Sequence, residues 1–429
     1  MADLTTLTLD VETTMASSHK NKAHFADPEN RLVLMGMKYT AKNDTDYNTI
    51  EWGKTLSFEE NLVDIIIGHN LTFDLHYVYK TWPSEKLKFQ KVKLWDTQLA
   101  AYILSGQQHK FASLDELSAQ YKLPLKYDKV KEYFDAGFGA DLVPINMLKE
   151  YLKQDVYNTE TIAYAQMKQA TELNMLPLII SQMEALHATI EMTYNGLQID
   201  GKQLADYTAI VHRNMVASQD ESTKLLKELS GRDVDIASNK QLSIVLFGGT
   251  VSKEEKIVAG MYKNGKPKYK KEKVIEQVPP LINPKNYVSK NGSVDDKVLS
   301  ELIATHPAGG GVCNLLYNIK QYREYSKEYS TYCQSLYSHI MTSGRIYGNI
   351  SHVNTNTGRL SSSSPNLQNI SNSLVKKSFC SRFPNGKLME FDFSQLEVAI
   401  LAHISNDKQL IKDITEGADI HSELYKDMY

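Results

Sequence analysis

Residues 354–407 read NTNTGRLSSSSPNLQNISNSLVKKSFCSRFPNGKLMEFDFSQLEVAILAHISND, and the centre of the stretch is Glu390-Phe391-Asp392-Phe393-Ser394-Gln395-Leu396-Glu397. Apolar and polar residues alternate from Leu388 to Phe393. This predicts a strand with Met389, Phe391 and Phe393 on one face and Glu390 and Asp392 on the other. A helical pattern follows at Leu396, Ala399, Ile400 and His403. A carboxylate at a strand end, just before a helix, can hold a metal ion or simply cap that helix. The short pattern by itself leaves both open.

Upstream lie Thr357-Gly358-Arg359-Leu360-Ser361-Ser362 and Ser364-Pro365-Asn366-Leu367-Gln368-Asn369-Ile370. With the Asp392 strand, in this order and spacing, they resemble the family A DNA polymerases, the group of bacterial DNA polymerase I and many phage replicases. The resemblance implies that Asp392 is one of two palm carboxylates holding catalytic metals. It implies that Glu397 excludes a ribose 2′-hydroxyl by its bulk, with Ser394 and Gln395 beside it at the nucleotide. Arg359, with Thr357, would reach DNA near the primer end, and Asn366 and Gln368 would line the duplex. Two positions depart from the family: Ala399 stands where it usually has arginine, and Lys376-Lys377-Ser378 where it tends to have one before Phe379. Lysine supplies charge but not bidentate geometry.

The 429 residues are enough for two to three domains, and 42% hydrophobic with 23% charged residues is ordinary for a globular protein. The net charge of −3 does not advertise nucleic-acid binding, so any DNA contact must come from local basic patches. Cys313, Cys333 and Cys380 lie far apart, without metal-ligand spacing, and fit a reducing compartment. No signal peptide and no run of about 18 apolar residues is found, so a cytoplasmic location (host cytoplasm if viral) and no membrane partner are expected.

Working back to the start, Leu4 to Val11 alternates, with Leu7, Leu9 and Val11 on one face and Thr8, Asp10 and Glu12 on the other. Further strands are expected at Leu32–Tyr39 and Leu62–Ile67, and helices near 71–80, 96–105, 113–122 and 146–170. Strands alternating with helices predict an α/β domain. Asp10 and Glu12 crowd two carboxylates together, which a cation would relieve; a solvated pair is the plain alternative. With Asn70…Asp74 and Tyr151…Asp155 the order resembles the DEDD-type 3′–5′ exonucleases of RNase H-like fold, in the version with a tyrosine. The resemblance implies two cations, Mg²⁺ or Mn²⁺, on Asp10, Glu12, Asp74 and Asp155, with Tyr151 orienting the attacking water. Asn70 and Phe73 (or Leu71) would touch the terminal nucleotide, and Asp96 is read as structural. Such a domain directly precedes the polymerase domain in family A. The expected domains are therefore an exonuclease at 1–172 and a mostly helical thumb with a partial α+β palm at 173–429: palm start 173–200, thumb 201–345, palm and start of fingers 346–429.

Within the second part, Asn195-Gly196 is a helix stop, 201–230 is a long helix, and Ser238 or Asn239 caps another. Residues 252–278 carry eight lysines and a hairpin signal at Asn264-Gly265. They form either a solvated hairpin or a contact to duplex phosphates. Leu315 to Leu336 is a helix with a tyrosine stripe, more consistent with core than with a stacking platform; by resemblance Arg323 and Lys327 approach DNA. Asp419-Ile420-His421 resembles the lead into the fingers. The fingers helix and the His-Asp-Glu segment with the second palm carboxylate are not found in 1–429. The expectation is the N-terminal piece of a split or shortened DNA polymerase. A second polypeptide would complete it on primer-template DNA with deoxynucleoside triphosphates. The alternative is a standalone 3′–5′ exonuclease with a DNA-binding remnant.

Overall fold

The computed structural model describes residues 4–16, 23–41, 44–124, 128–262, 265–283, 292–370 and 373–418. It comprises two compact units, Met1–Cys380 and Ser381–Tyr429.

The first sheet is built around β1 (Thr6–Thr13). On one side β1 pairs antiparallel with β2 (Leu32–Ala41), and β2 with β3 (Asp44–Glu51). On the other it runs parallel to β4 (Ile65–Gly68), and β4 to β5 (Lys93–Asp96), giving the order β3-β2-β1-β4-β5. The strand expected from Leu62 begins only at Ile65, because Glu60–Leu62 is a 3₁₀ turn. The helices are α1 (Leu71–Thr81), α2 (Lys86–Phe89), α3 (Thr97–Leu104), α4 (Leu114–Gln120), α5 (Asp128–Asp135) and α6 (Ile145–Glu172). Of these, α1, α3, α4 and α6 answer the four sequence patterns.

Leu7, Leu9 and Val11 enter a core with Leu71, Leu75 and Val78 of α1. The opposite face carries α6. Thr6 Oγ1 lies 2.9 Å from the hydroxyl of Tyr164. Lys38 forms a buried ion pair with Glu160, which also accepts from Thr40 Oγ1 at 2.7 Å. From Tyr151 to Tyr164 a helix climbs about 20 Å. From Glu12 back to Thr6 a strand covers about the same distance. One helix therefore lies along the whole strand and brings Asp155 to the acidic end. Gly36, the register partner of Asp10, permits this approach. A Cβ there would stand 2.8 Å from Leu152 Cγ and 3.2 Å from the Tyr47 hydroxyl oxygen.

α7 (Leu176–Asn195) stops at Gly196, whose φ is +62°, as the Asn-Gly signal requires. Its stripe of Ile179, Met183, Leu186 and Ile190 shares the core of Leu9 and Ile66. The expected boundary at 172/173 thus separates two helices that pack into one core. β6 (Leu197–Ile199) leads into α8 (Gly201–Ser230), capped by Asp200, which accepts from Gln203 N at 2.9 Å. α9 (Asn239–Phe247) is capped by Ser238. Next come the hairpin β7 (Gly249–Met261) and β8 (Pro267–Val278), then α10 (Asp296–Thr305) and α11 (Gly311–Lys327). α11 continues as a π-helical stretch, Glu328–Gln334, into α12 (Ser335–Tyr337). Tyr322, Tyr325, Tyr329 and Tyr332 are partly buried against two apolar cores of this helical part, and Tyr317 alone of the stripe is exposed. β9 (Arg345–Ile346) pairs with β6, β10 (Asn349–Ser351) with β11 (Ser361–Ser363), and β12 (Phe379–Cys380) with β6.

The second unit corrects one expectation. Leu388 to Phe393 is not a strand. Met389, Phe391 and Phe393 are exposed, and the segment pairs with no strand among the described residues. Alternation makes a strand only where a ladder partner and a covering layer exist. α13 (Leu396–Ser405) follows as expected, then α14 (Lys408–Thr415), capped by Asp407. Asp419-Ile420-His421 lies outside the described residues.

Candidate active site

β1 holds Asp10 and Glu12 on one face by the two-residue repeat of a strand. α6 adds Tyr151 and Asp155, which share a face at i and i+4. Ligand oxygens of Asp10, Glu12 and Asp155 lie within 4.8 Å of one another, a group able to hold a metal ion. Asp74 comes from the first turn of α1 and lines the same cleft, of about 400 Å³, with Tyr151, Asn70 and Phe73. The exonuclease set expected from sequence is thus brought together.

The electrostatics favour a cation. Burial first, then the charges of Asp10 and Asp96, push the Asp74 carboxyl well above its ordinary range, although it accepts a hydrogen bond from the Val11 backbone. Its Oδ2 is buried with no hydrogen-bond partner among the described residues. An all-oxygen carboxylate cluster with an unsatisfied buried oxygen suits a hard divalent ion. Tyr151 is buried, with its ring edge-on to Phe134 at 6.0 Å.

Asp96 is structural, as expected. Oδ1 accepts from Asn70 N, Gln98 N and Leu99 N at 3.3, 2.9 and 3.1 Å, and Oδ2 accepts from Leu71 N at 2.8 Å. It ties the starts of α1 and α3 together. Asn70 takes the left-handed conformation there, φ +62°, which asparagine tolerates.

Sequence reasoning missed Phe111, Phe134, His69, Gln98 and Ser113 in the cleft wall. It also missed an adjoining cavity of about 370 Å³ that shares Asn70 and Phe73 and is walled by His24, Phe25, Tyr77 and Tyr347. Nothing local marks these residues, which come from separate segments of the chain.

The polymerase residues are divided between the units. Thr357 and Arg359 are exposed on a loop of the first unit, where Thr355 Oγ1 donates to the Arg359 carbonyl at 2.7 Å and Tyr102 donates to that of Thr355. Asn366 Oδ1 accepts from Gln368 N at 3.1 Å. Lys327 and Asn366 line one cleft beside the π-helical stretch. Arg323 donates through its guanidinium to the Val294 carbonyl and, at 2.6 Å, to Asn239 Oδ1, and lies 3.8 Å from Asp296. It ties α11 to α9 and α10, because its side chain is packed between them. Asp392, Ser394 and Glu397 are exposed in the second unit, with Gln395 at the N-cap of α13. No metal-type group of three side chains forms around Asp392 among the described residues.

A carboxylate cleft on a mixed α/β sheet thus lies ahead of a mostly helical part of the chain. The 3′–5′ exonuclease family model matches residues 2–169, and that of DNA polymerase family A matches residues 205–429, just over half the chain. The chain belongs to DNA polymerase family A. It is similar to DNA polymerase I of Helicobacter pylori strain 26695, 26% identical over 377 residues, covering 85% of this chain and 35% of that protein. It is 34% identical over 337 residues to DNA polymerase I of Streptococcus pneumoniae strain R6, covering 76% of this chain and 33% of that protein. The chain spans about a third of the length of these relatives. The fold is similar to the POL domain of Pol1 from M. smegmatis, solved in complex with DNA primer-template and dNTP. That match has a TM-score of 0.62 and 18% identity, and covers 98% of this chain and 62% of that one. Among the described residues no helix is long and apolar enough to cross a membrane.

Proposed function

We propose that the protein removes nucleotides from the 3′ end of DNA at the Asp10 cleft and takes part in template-directed synthesis through Asp392. The convergence of Asp10, Glu12 and Asp155 beside the buried Asp74 carries the first half. These four side chains would hold divalent cations, Mg²⁺ or Mn²⁺. When bound, the cations supply Lewis-acid stabilisation of the charge that builds on the scissile phosphate. Tyr151 orients the water that adds to phosphorus, the bond to the neighbouring 3′ oxygen breaks, and a nucleoside 5′-monophosphate leaves. Asn70 and Phe73 position the terminal nucleotide, and Phe73 stands where an unpaired base can stack toward the adjoining aromatic cavity.

For synthesis, Asp392 needs a second carboxylate and a nucleotide-binding helix that the 429 residues do not display. These would come from elsewhere in the protein or from a second polypeptide carrying fingers and the rest of the palm. The exposed row Met389, Phe391 and Phe393 supports this reading, since it is the apolar face a covering sheet would bury. On this reading the partners are primer-template DNA and deoxynucleoside triphosphates. Arg359, Thr357, Asn366, Gln368 and Lys327 lie on the DNA, with Ser394, Gln395 and Glu397 at the nucleotide.

The test is primer extension by these residues carrying Asp10→Ala and Asp74→Ala, with Mg²⁺ and four deoxynucleotides, so that degradation cannot hide synthesis. No growth is expected from these residues alone, and growth on addition of a polypeptide supplying the second carboxylate. A primer that grows without it would show that the site is already complete.

A further inference from the structure

The β7–β8 hairpin stands out in a chain of net charge −3. It carries eight lysines against four glutamates, and the sixteen residues from Lys256 to Lys271 hold six lysines and no acid. The ribbon is twelve pairs long, from Gly249↔Val278 to Met261↔Pro267, with a bulge between Val258 and Gly260. Its base is fixed. Val278 is buried in the thumb core with Val251 packed against it, and Glu276 is ion-paired with Arg232. Among the described residues the two strands pair only with each other. Tyr269, Lys271, Lys273 and Ile275 alternate with Lys268, Lys270 and Val274, and all of them are exposed. Lys271 pairs with Glu254 at 2.9 Å, but both are well exposed, so the pair is weak and can be exchanged.

An isolated two-stranded ribbon has no core of its own to bury. One with cations on both faces is matched in charge to a polyanion with phosphates on both sides of it. The major groove of B-DNA, about 12 Å wide, admits a two-stranded ribbon. We propose that the β7–β8 hairpin is a DNA-binding arm that lies along a groove of duplex DNA, outside either catalytic centre, with Lys268, Lys270 and Lys271 on the flanking phosphates. This rests on the proposed function only in taking DNA as the polyanion.

The experiment measures the affinity for a blunt duplex in EDTA against salt, for the wild type and for Lys268→Gln, Lys270→Gln, Lys271→Gln together. Each lost phosphate contact should flatten the slope of log affinity against log salt by about 0.9. Between 50 and 200 mM salt the wild type should then lose about 40-fold more affinity than the variant. Exonuclease rate on a single-stranded oligonucleotide, measured with Mg²⁺ at low salt, should be unchanged. A slope equal to that of the wild type overturns the proposal, and so does a slope that flattens only for single-stranded DNA. A chain with residues 252–275 replaced by a short turn gives the same reading if the triple variant does not fold. Absence of exonuclease in the wild type would defeat the proposed function and leave the slope comparison intact.

Discussion

The carboxylate of Asp96 accepts from four backbone N–H groups, two at the start of α1 and two in α3, yet the side chain is a positioning group. Asp96→Ala leaves buried donors unmet and should cost about 2–4 kcal/mol in a denaturant melt. Asp96→Asn keeps an acceptor and should restore most of the stability, together with the exonuclease rate; equal losses in both variants would contradict a capping role. Gly36 acts by what it lacks. Gly36→Ala pushes on Leu152 at 2.8 Å and should cost about 1–3 kcal/mol. Because α6 carries Tyr151 and Asp155, the exonuclease kcat should also fall at least about tenfold; an unchanged kcat would show that the helix does not move. The strand and helix repeats pair Asp10 with Glu12 and Tyr151 with Asp155, but that these pairs meet with Asp74 was legible only through the resemblance to the DEDD-type exonucleases. Gly36 was not, because its meaning depends on a helix more than a hundred residues away. The contacts of Arg323 with α9 and α10 were not legible either, because charge and spacing do not reveal what encloses a side chain.

α7 is fastened by two buried histidines and a half-buried one. His76 Nε2 lies 3.1 Å from the Ile190 carbonyl and 2.9 Å from Thr193 Oγ1, His352 Nε2 lies 2.8 Å from Thr189 Oγ1, and His187 Nε2 lies 2.9 Å from the Val92 carbonyl. Burial lowers all three, His76 from 6.5 to about 4. The unfolded chain therefore takes up protons that the folded one refuses. Stability should be full above about pH 6.5 and fall as pH drops toward about 4, His76 alone contributing about 3 kcal/mol. Thermal melts of the wild type and His76→Gln across that window check this; parallel pH profiles would remove His76 from the account. At this scale the helices α1, α3, α4, α6 and α8 were legible, being long and periodic or well capped. β3 was not, because it is a polar edge strand, and β5 was not, because it is four residues long. The expected strand at Leu388–Phe393 failed because its partners are not among the described residues.

At the scale of the whole molecule the two proposed activities differ in what the described residues supply. The clustered carboxylates come from β1, α1 and α6 of one compact unit, whereas Asp392 stands in the other, where no metal-type group of three side chains forms among the described residues. The domain order was legible because it lies in motif sequence. The shared core of α7 was not, because a helical stripe does not say which layer it faces. The most direct measurement is a time course of a 5′-labelled single-stranded oligonucleotide with Mg²⁺, for the wild type and for Asp10→Ala, Asp74→Ala. The account expects a ladder shortening from the 3′ end with the wild type. In the double variant the rate should be lower by about a thousandfold, the equivalent of about 4 kcal/mol of lost transition-state stabilisation. An oligonucleotide that stays intact with the wild type, or shortens equally fast with the double variant, would contradict the assignment of the cleft.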